Sequence, residues 1–159
     1  MFIRYSGIRL NIETIINNES SHDSVLFIHG FTGSAKDWTS IVPSLDKRLN
    51  YYLIDLVGHG KSDSPNESSF YSIDSIVNQI KEIIQSLNSR KTILAGYSLG
   101  GRIALNFAVR YEDILSGLIL ESCSPGISDE NLRKDRLDLD EKLAEFIEII
   151  QLKESLIIG

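Results

Sequence analysis

Cysteine, proline and positive charge are scarce in this 159-residue sequence, and each shortage excludes a class of protein. The only cysteine is Cys123, which excludes an internal disulfide framework and fits a reducing compartment. Three prolines and 11 glycines are too few for a collagen-like or low-complexity chain. Sixteen Lys+Arg residues against 22 Asp+Glu residues give a net charge of −6, which argues against a nucleic-acid partner.

Long apolar runs are also missing from the sequence. No run approaches the ~18 consecutive apolar residues of a membrane span. Residues 1–7 do not have the charged head and apolar run of a signal peptide. We therefore expect a cytoplasmic protein with no membrane partner. The remaining composition, with 42% hydrophobic and 24% charged residues, is that of a globular domain with a substantial core.

Four short apolar runs, each followed by a polar or glycine-containing turn, predict the strands of a parallel sheet. Apolar residues at three- and four-residue steps predict helices over 73–87 and 103–111 between them. Runs that are buried on both faces and separated by helices are typical of an α/β domain. The four runs are Val25–Ile28, Tyr51–Ile54, Thr92–Ala95 and Leu118–Leu120.

Two further segments flank this α/β pattern. Residues 8–12 alternate weakly between apolar and polar, which predicts an antiparallel edge strand or a hairpin. Residues 128–151 have helical spacing but many charges, which is typical of a covering segment rather than a buried crossover helix.

The sequence Gly96-Tyr97-Ser98-Leu99-Gly100 lies directly between a predicted strand and a predicted helix. It matches the nucleophile-elbow pattern G-x-S-x-G, in which a strained turn exposes the serine hydroxyl. The alternative is a plain serine that caps the N-terminus of the helix. The strand-to-helix position favours the elbow, and we therefore predict that Ser98 is catalytic.

The loop that follows the first apolar run supplies the second part of a candidate site. A developing anion needs two backbone N–H donors, and the elbow pattern predicts that these belong to Leu99 and Phe31. We interpret His29 and His59 as structural histidines bonded to loop backbone, rather than as a general base or a ligand. Asp55 precedes the serine, whereas the triad acid follows it in this pattern, so we expect Asp55 to cap its own turn.

Together these motifs resemble the α/β-hydrolase superfamily, and within it the MenH family of 2-succinyl-6-hydroxy-2,4-cyclohexadiene-1-carboxylate synthases of menaquinone biosynthesis. The resemblance covers residues 25–147 and implies an α/β-hydrolase fold, a mostly parallel sheet with flanking helices. Its more specific parts are Arg102 after the elbow, a Ser-Pro-Gly segment and a series of arginines. The strings that carry it are HGFTGS…W from His29 to Trp38, DLVGHGKS from Asp55 to Ser62, GYSLGGR from Gly96 to Arg102, LILESCSPG from Leu118 to Gly126, and RKDRLDLDEKLA from Arg133 to Ala144.

The resemblance implies a carbon–oxygen lyase that eliminates pyruvate from a small polycarboxylate, without a metal or a cofactor. Ser98 would then abstract the proton, Arg102 and Arg136 would bind carboxylates, and Tyr97 would line the pocket. Guanidinium groups suit such a ligand because they bind carboxylates in a bidentate manner. Arg102 also lies four residues after the serine, on the same side of a helix. The alternative for Arg136 is an ion pair with Asp140 on its own helix.

All three histidines, His22, His29 and His59, precede Ser98. A serine triad needs a later acid and histidine, so we expect residues 1–127 to be the N-terminal part of a hydrolase core that lacks its C-terminal strands. Residues 128–159 would be the start of a truncated helical cap. We expect this chain to be nearly inactive and its strand at 118–120 to be an exposed edge. A generic hydrolase of esters or C–C bonds, or a non-catalytic remnant, remain alternatives.

Overall fold

A computed structural model describes residues 1–19, 22–87 and 89–158 of the chain, with side chains of the last helix described to Phe146. These described residues contain six strands and three α-helices, with short 3₁₀ turns in several of the connections. The strands are β1 (Phe2–Tyr5), β2 (Ile8–Ile15), β3 (Asp23–Ile28), β4 (Asn50–Ile54), β5 (Lys91–Tyr97) and β6 (Leu115–Glu121). The helices are α1 (Ile73–Ser86), α2 (Leu99–Arg110) and α3 (Glu130–Ile158).

The six strands form one mostly parallel sheet in the order β1-β2-β4-β3-β5-β6. β1 and β2 form an antiparallel hairpin, and β2 also pairs antiparallel with β4. The remaining pairs, from β4 through β3 and β5 to β6, are parallel. The predicted mostly parallel α/β sheet and its N-terminal hairpin are confirmed.

Helices α1 and α2 share one face of this sheet. Ser72 caps α1 by accepting a hydrogen bond from the Ser75 N–H at 3.2 Å. Fully buried side chains of both helices, among them Ile80 and Phe107, pack against the sheet in the larger core cluster. On the opposite face a smaller cluster centres on Phe27, whose ring centroid lies 4.7 Å from that of Trp38. The core thus holds β3 and β5 between two apolar layers.

Strand β6 differs from the prediction in both length and burial. It is the last strand of the sheet and extends back to Leu115, across a register shift between Thr92 and Ile93 of β5. The prediction that this run is buried on both faces is wrong, because Ile119 is 54% exposed and the residues on either side of it are also exposed. The expectation that it forms an exposed apolar edge agrees with its place in the sheet.

The chain divides into two compact units, the first of which is Met1–Ser124. The second begins at Pro125, three residues before the division predicted from the sequence, and contains α3. Its assignment as the start of a cap stays a prediction. Within the described residues, no helix is both long and apolar enough to cross a membrane.

Candidate active site

Ser98 is the single residue between β5 and α2, and its backbone conformation is strained. Its backbone angles are φ 51° and ψ −109°, which lie in a region that residues with a side chain rarely adopt. Its N–H donates to the Glu121 carbonyl at 2.9 Å, which ties the turn to the end of β6. The side chain makes no capping hydrogen bond to the helix, so the alternative of a plain N-cap serine is wrong. The hydroxyl therefore remains available for chemistry.

Two glycines allow the strand and the helix to meet this closely. A Cβ atom at Gly96 would overlap the Gly100 carbonyl, and one at Gly100 would overlap the Ile28 carbonyl at the end of β3. Both obstacles are backbone atoms, which have no rotamer through which to move aside. The G-x-S-x-G spacing is thus required by packing on both sides of Ser98.

We expect Gly100→Ala to lower the free energy of unfolding by about 1–3 kcal/mol, because the added methyl group meets backbone. Urea denaturation of the chain measures this loss. Gly117→Ala is the matched control, since its Cβ would lie 3.3 Å from a side-chain atom, Ile93 Cγ1, rather than overlap backbone. Equal losses in the two variants would contradict the requirement for glycine at the elbow.

The loop after β3 approaches the elbow closely. A Cβ atom at Gly30 would lie 2.9 Å from Tyr97 Cδ1 and 3.5 Å from Ser98 Cβ, so a larger residue would push the loop away. The next residue, Phe31, has an N–H that donates to no acceptor within the described residues, and the same is true of Leu99. Leu99 is the first residue of α2, where an N–H has no partner inside its own helix. One donor without a described acceptor therefore lies in the elbow, and a second lies in the loop that approaches the elbow.

His29 is fully buried, and both of its ring nitrogens are engaged. Nε2 accepts the Leu56 N–H at 3.1 Å, so the ring proton lies on Nδ1, which donates to the Gly30 carbonyl at 2.7 Å. Burial lowers the pKa of His29, and the nearby His59 ring lowers it further. Because one ring nitrogen accepts a hydrogen bond and the other donates one, the ring is neutral and has no free nitrogen. Its interpretation as a structural histidine, and not a general base, is confirmed.

The carboxylate of Asp55 joins three separate segments beneath the loop. One oxygen accepts the Ala35 N–H at 2.7 Å, and the other accepts the Lys61 N–H at 2.9 Å and the Asn11 side-chain amide at 2.8 Å. Burial raises the pKa of the Asp55 carboxyl, but these hydrogen bonds lower it more, and the net pKa is below its usual value. Gly60 has φ 54°, and a Cβ there would overlap this carboxyl group. The prediction that Asp55 caps its turn is confirmed.

Two of these partners of Asp55 were not predicted from the sequence. Asn11 lies on β2, 44 residues before Asp55, and Ala35 lies 20 residues before it. Little in the sequence pointed to Asn11, because it alternates with Arg9 and Glu13 on the polar face of β2, where an asparagine is not unusual. The same network includes Ser62, whose hydroxyl donates to the Asp55 carbonyl at 2.6 Å.

Two of the predicted ligand residues lie beside the elbow. Tyr97 is 46% exposed, at the end of β5. Arg102 lies in the first turn of α2, where its N–H donates to the Ser98 carbonyl at 3.1 Å. Its exposed guanidinium makes no hydrogen bond or ion pair with a described residue, so it is free to bind an anion.

Arg136 lies in the second unit, on α3. Its Nε donates to Asp140 at 3.0 Å, which is the alternative contact that the sequence offered. Both side chains are at least half exposed, so this pair is a weak one that a carboxylate ligand could replace. The role of Arg136 in ligand binding stays a prediction. Across the part of the chain that the structure describes, no group of three or more His, Cys, Asp or Glu side chains could hold a metal ion.

Known proteins are similar to this chain in sequence and in fold. The chain is 41% identical, over 129 residues, to a Bacillus subtilis (strain 168) protein provisionally named 2-succinyl-6-hydroxy-2,4-cyclohexadiene-1-carboxylate synthase, covering 80% of this chain and 46% of that one. A Klebsiella pneumoniae protein of the same name is 33% identical over 129 residues, with 81% and 50% coverage. The structure of MenH from S. aureus superposes with a TM-score of 0.79 at 29% identity, covering 87% of this chain and 52% of that one.

The chain thus spans about half the length of these relatives. The family profile described as the alpha/beta hydrolase fold matches residues 23–148, which include β3, the elbow and much of α3. Because that match covers most of the chain and the elbow geometry agrees with it, the chain belongs to the α/β-hydrolase family.

Proposed function

We propose that this chain forms the elbow and oxyanion half of a MenH-type lyase. The reaction would eliminate pyruvate from 2-succinyl-5-enolpyruvyl-6-hydroxy-3-cyclohexene-1-carboxylate to give 2-succinyl-6-hydroxy-2,4-cyclohexadiene-1-carboxylate. The observation that carries the proposal is that Ser98 lies at a strained turn without a capping hydrogen bond, while the N–H groups of Leu99, next to it, and of Phe31, in the loop that approaches it, have no acceptor among the described residues. The similarity to proteins named as synthases of this product supports the substrate.

In this reaction Ser98 Oγ removes a proton from a ring carbon of the substrate. The negative charge that develops is delocalised onto a substrate oxygen, and the N–H groups of Phe31 and Leu99 stabilise it there. The carbon–oxygen bond to the enolpyruvyl group then breaks, the ring gains a double bond, and the released enolpyruvate takes up a proton from solvent and becomes pyruvate. Each of these roles uses a group for which the described part of the chain offers no hydrogen-bond partner.

A base must first take the proton from the Ser98 hydroxyl. No histidine follows Ser98 in this chain, and both ring nitrogens of His29 are already hydrogen-bonded. The order of the triad in this fold is serine, acid, histidine. We therefore assign the base and its acid to the half of the enzyme that the relatives have beyond the matched region.

The proposal is tested in a fusion protein. This chain supplies the matched 129-residue segment, and the Bacillus subtilis relative supplies the rest of its own length. Pyruvate release from the cyclohexene substrate is the assay. Turnover that requires both parts supports the proposal, whereas a folded fusion protein without turnover would contradict it.

A hydrolase of neutral esters is the second candidate, because an elbow serine with two N–H donors also fits acyl transfer. The free guanidinium of Arg102 favours the polycarboxylate. A charge-assisted hydrogen bond contributes about 1.5–3 kcal/mol, so we expect Arg102→Gln to raise KM for this substrate by about 10- to 100-fold. Steady-state kinetics of the fusion protein measure this change.

Arg110→Gln is the control, because Arg110 lies at the other end of α2 and pairs with Asp74 at 2.7 Å. It should leave KM nearly unchanged. If Arg102→Gln also left KM for the polycarboxylate unchanged, Arg102 would not be the carboxylate ligand. Efficient turnover of neutral esters instead would favour the hydrolase.

A further inference from the structure

The peptide bond between Gly30 and Phe31 is held from its carbonyl side. The Gly30 oxygen accepts the His29 Nδ1–H at 2.7 Å and the Gly33 N–H at 3.1 Å. A carbonyl oxygen has two lone pairs, so both of its acceptor positions are used. The N–H at the other side of the same peptide belongs to Phe31 and is unpaired among the described residues.

The direction of this carbonyl determines the direction of the Phe31 N–H. A trans peptide is planar, and its C=O and N–H point to opposite sides. Gly30 lacks a Cβ, and glycine accepts many backbone conformations, so the peptide has few steric barriers to rotation. Thr32, the residue after Phe31, also has an unusual backbone conformation, with φ 63°. The hydrogen bonds to the Gly30 oxygen are therefore what fixes the donor.

The tautomer of His29 is determined by a residue that follows a different strand. Leu56 follows β4, and its N–H donates to His29 Nε2 at 3.1 Å, so that nitrogen carries no proton. The proton must lie on Nδ1, where it reaches the Gly30 carbonyl. The ring is fully buried, which keeps water from replacing either contact. Leu56 thus makes His29 a donor toward the loop.

We propose that His29 is a positioning residue that orients the Phe31 N–H toward the anion, through its Nδ1–H bond to the Gly30 carbonyl. The proposal rests on the proposed function only where it assigns this N–H to an anion. The orientation itself can be measured in the chain alone. His29 acts through the backbone and does not touch the substrate.

The first test compares His29→Asn with His29→Gln in the 159-residue chain. The Asn side-chain amide can replace Nδ1–H, whereas Gln can replace only the Nε2 acceptor. The residual dipolar coupling of the Phe31 N–H reports its orientation, and the couplings of β3 and β5 amides report the fold. We expect His29→Asn to keep the Phe31 coupling and His29→Gln to change it. An unchanged coupling in His29→Gln, or equal changes in both variants, would overturn the proposal.

The second test needs no substitution. A long-range ¹H–¹⁵N spectrum of the unaltered chain at neutral pH identifies which nitrogen of His29 is protonated. We expect the Nδ1–H tautomer. The Nε2–H tautomer would overturn the proposal even if both variants failed to fold.

The third test measures the catalytic consequence in the fusion protein. Loss of one oxyanion donor costs about 10²–10³-fold in kcat, and we expect His29→Gln to lower kcat by up to about 10²-fold with KM unchanged. His29→Asn should restore most of kcat, which a purely structural role would not predict. A His29→Gln fusion with unaltered kcat would overturn the inference. An unsubstituted fusion without turnover would instead contradict the proposed function. The dipolar coupling and the tautomer spectrum, both measured on the chain alone, would still decide how the Phe31 N–H is oriented.

Discussion

Ser98→Ala should lower kcat of the fusion protein by about 10⁴- to 10⁶-fold, the range found when a catalytic serine is removed. KM should change little, because the carboxylate ligands and the backbone donors remain. Alanine at φ 51° is about as strained as serine, so the free energy of unfolding should also stay nearly constant. Single-turnover pyruvate release and urea denaturation measure the two quantities.

Ser122→Ala is a matched control for this substitution. Ser122 has φ 49° directly after β6, and its hydroxyl donates to its neighbour Glu121 at 2.9 Å. It has the same residue type as Ser98 and a similar positive φ, but it follows the neighbouring strand. We expect kcat within a few-fold of the unaltered fusion protein. A Ser98→Ala enzyme that retained a tenth or more of its kcat would remove Ser98 from the mechanism.

Asp55→Ala should lower the free energy of unfolding of the chain by about 3–5 kcal/mol, because it leaves several buried donors without an acceptor. Those donors are the N–H groups of Ala35 and Lys61 and the side-chain amide of Asn11. The loss should be present at neutral pH, where the carboxylate is charged. Urea denaturation at pH 7 measures it.

The pH dependence gives this prediction a second readout. The folded-state pKa of Asp55 is below its ordinary value of 3.8, so its contribution is present above that pH and is lost as the pH falls further. The difference between the chain and Asp55→Ala should therefore shrink in acid. Asp63→Ala is the control, since Asp63 forms an exposed pair with Arg9 at 2.9 Å, and its effect should be a small fraction of the first. Equal effects would contradict the importance of the buried network.

The features that local patterns determine were predictable from the sequence. Apolar runs of four residues predicted β3, β4 and β5, because strands buried on both faces leave this signal. The elbow was predictable because its glycines are required by contacts within a few residues of Ser98 and by one neighbouring strand. The strands and the elbow are thus determined mainly by residues that are adjacent in the sequence.

Other features depend on parts of the chain that are far apart. The contact between Asn11 and Asp55 spans 44 residues and follows from the antiparallel pairing of β2 with β4, which composition does not encode. Strand β6 extends through Ser116 and Gly117 because this part of the chain pairs with β5. These two residues have little apolar character, so the apolar pattern did not predict the extension. The direction of the His29 ring likewise depends on Leu56, 27 residues later.

The two proposed anion donors are main-chain groups, and this affects how mutational data on this site should be understood. Alanine at Phe31 or Leu99 retains the N–H, so a scan of side chains would not detect the chemical role of either position. The same scan would show strong effects at Gly30 and Gly100, whose added methyl groups would meet the Tyr97 ring and the β3 backbone. Sequence variation at the donor positions is therefore compatible with an unchanged chemical role.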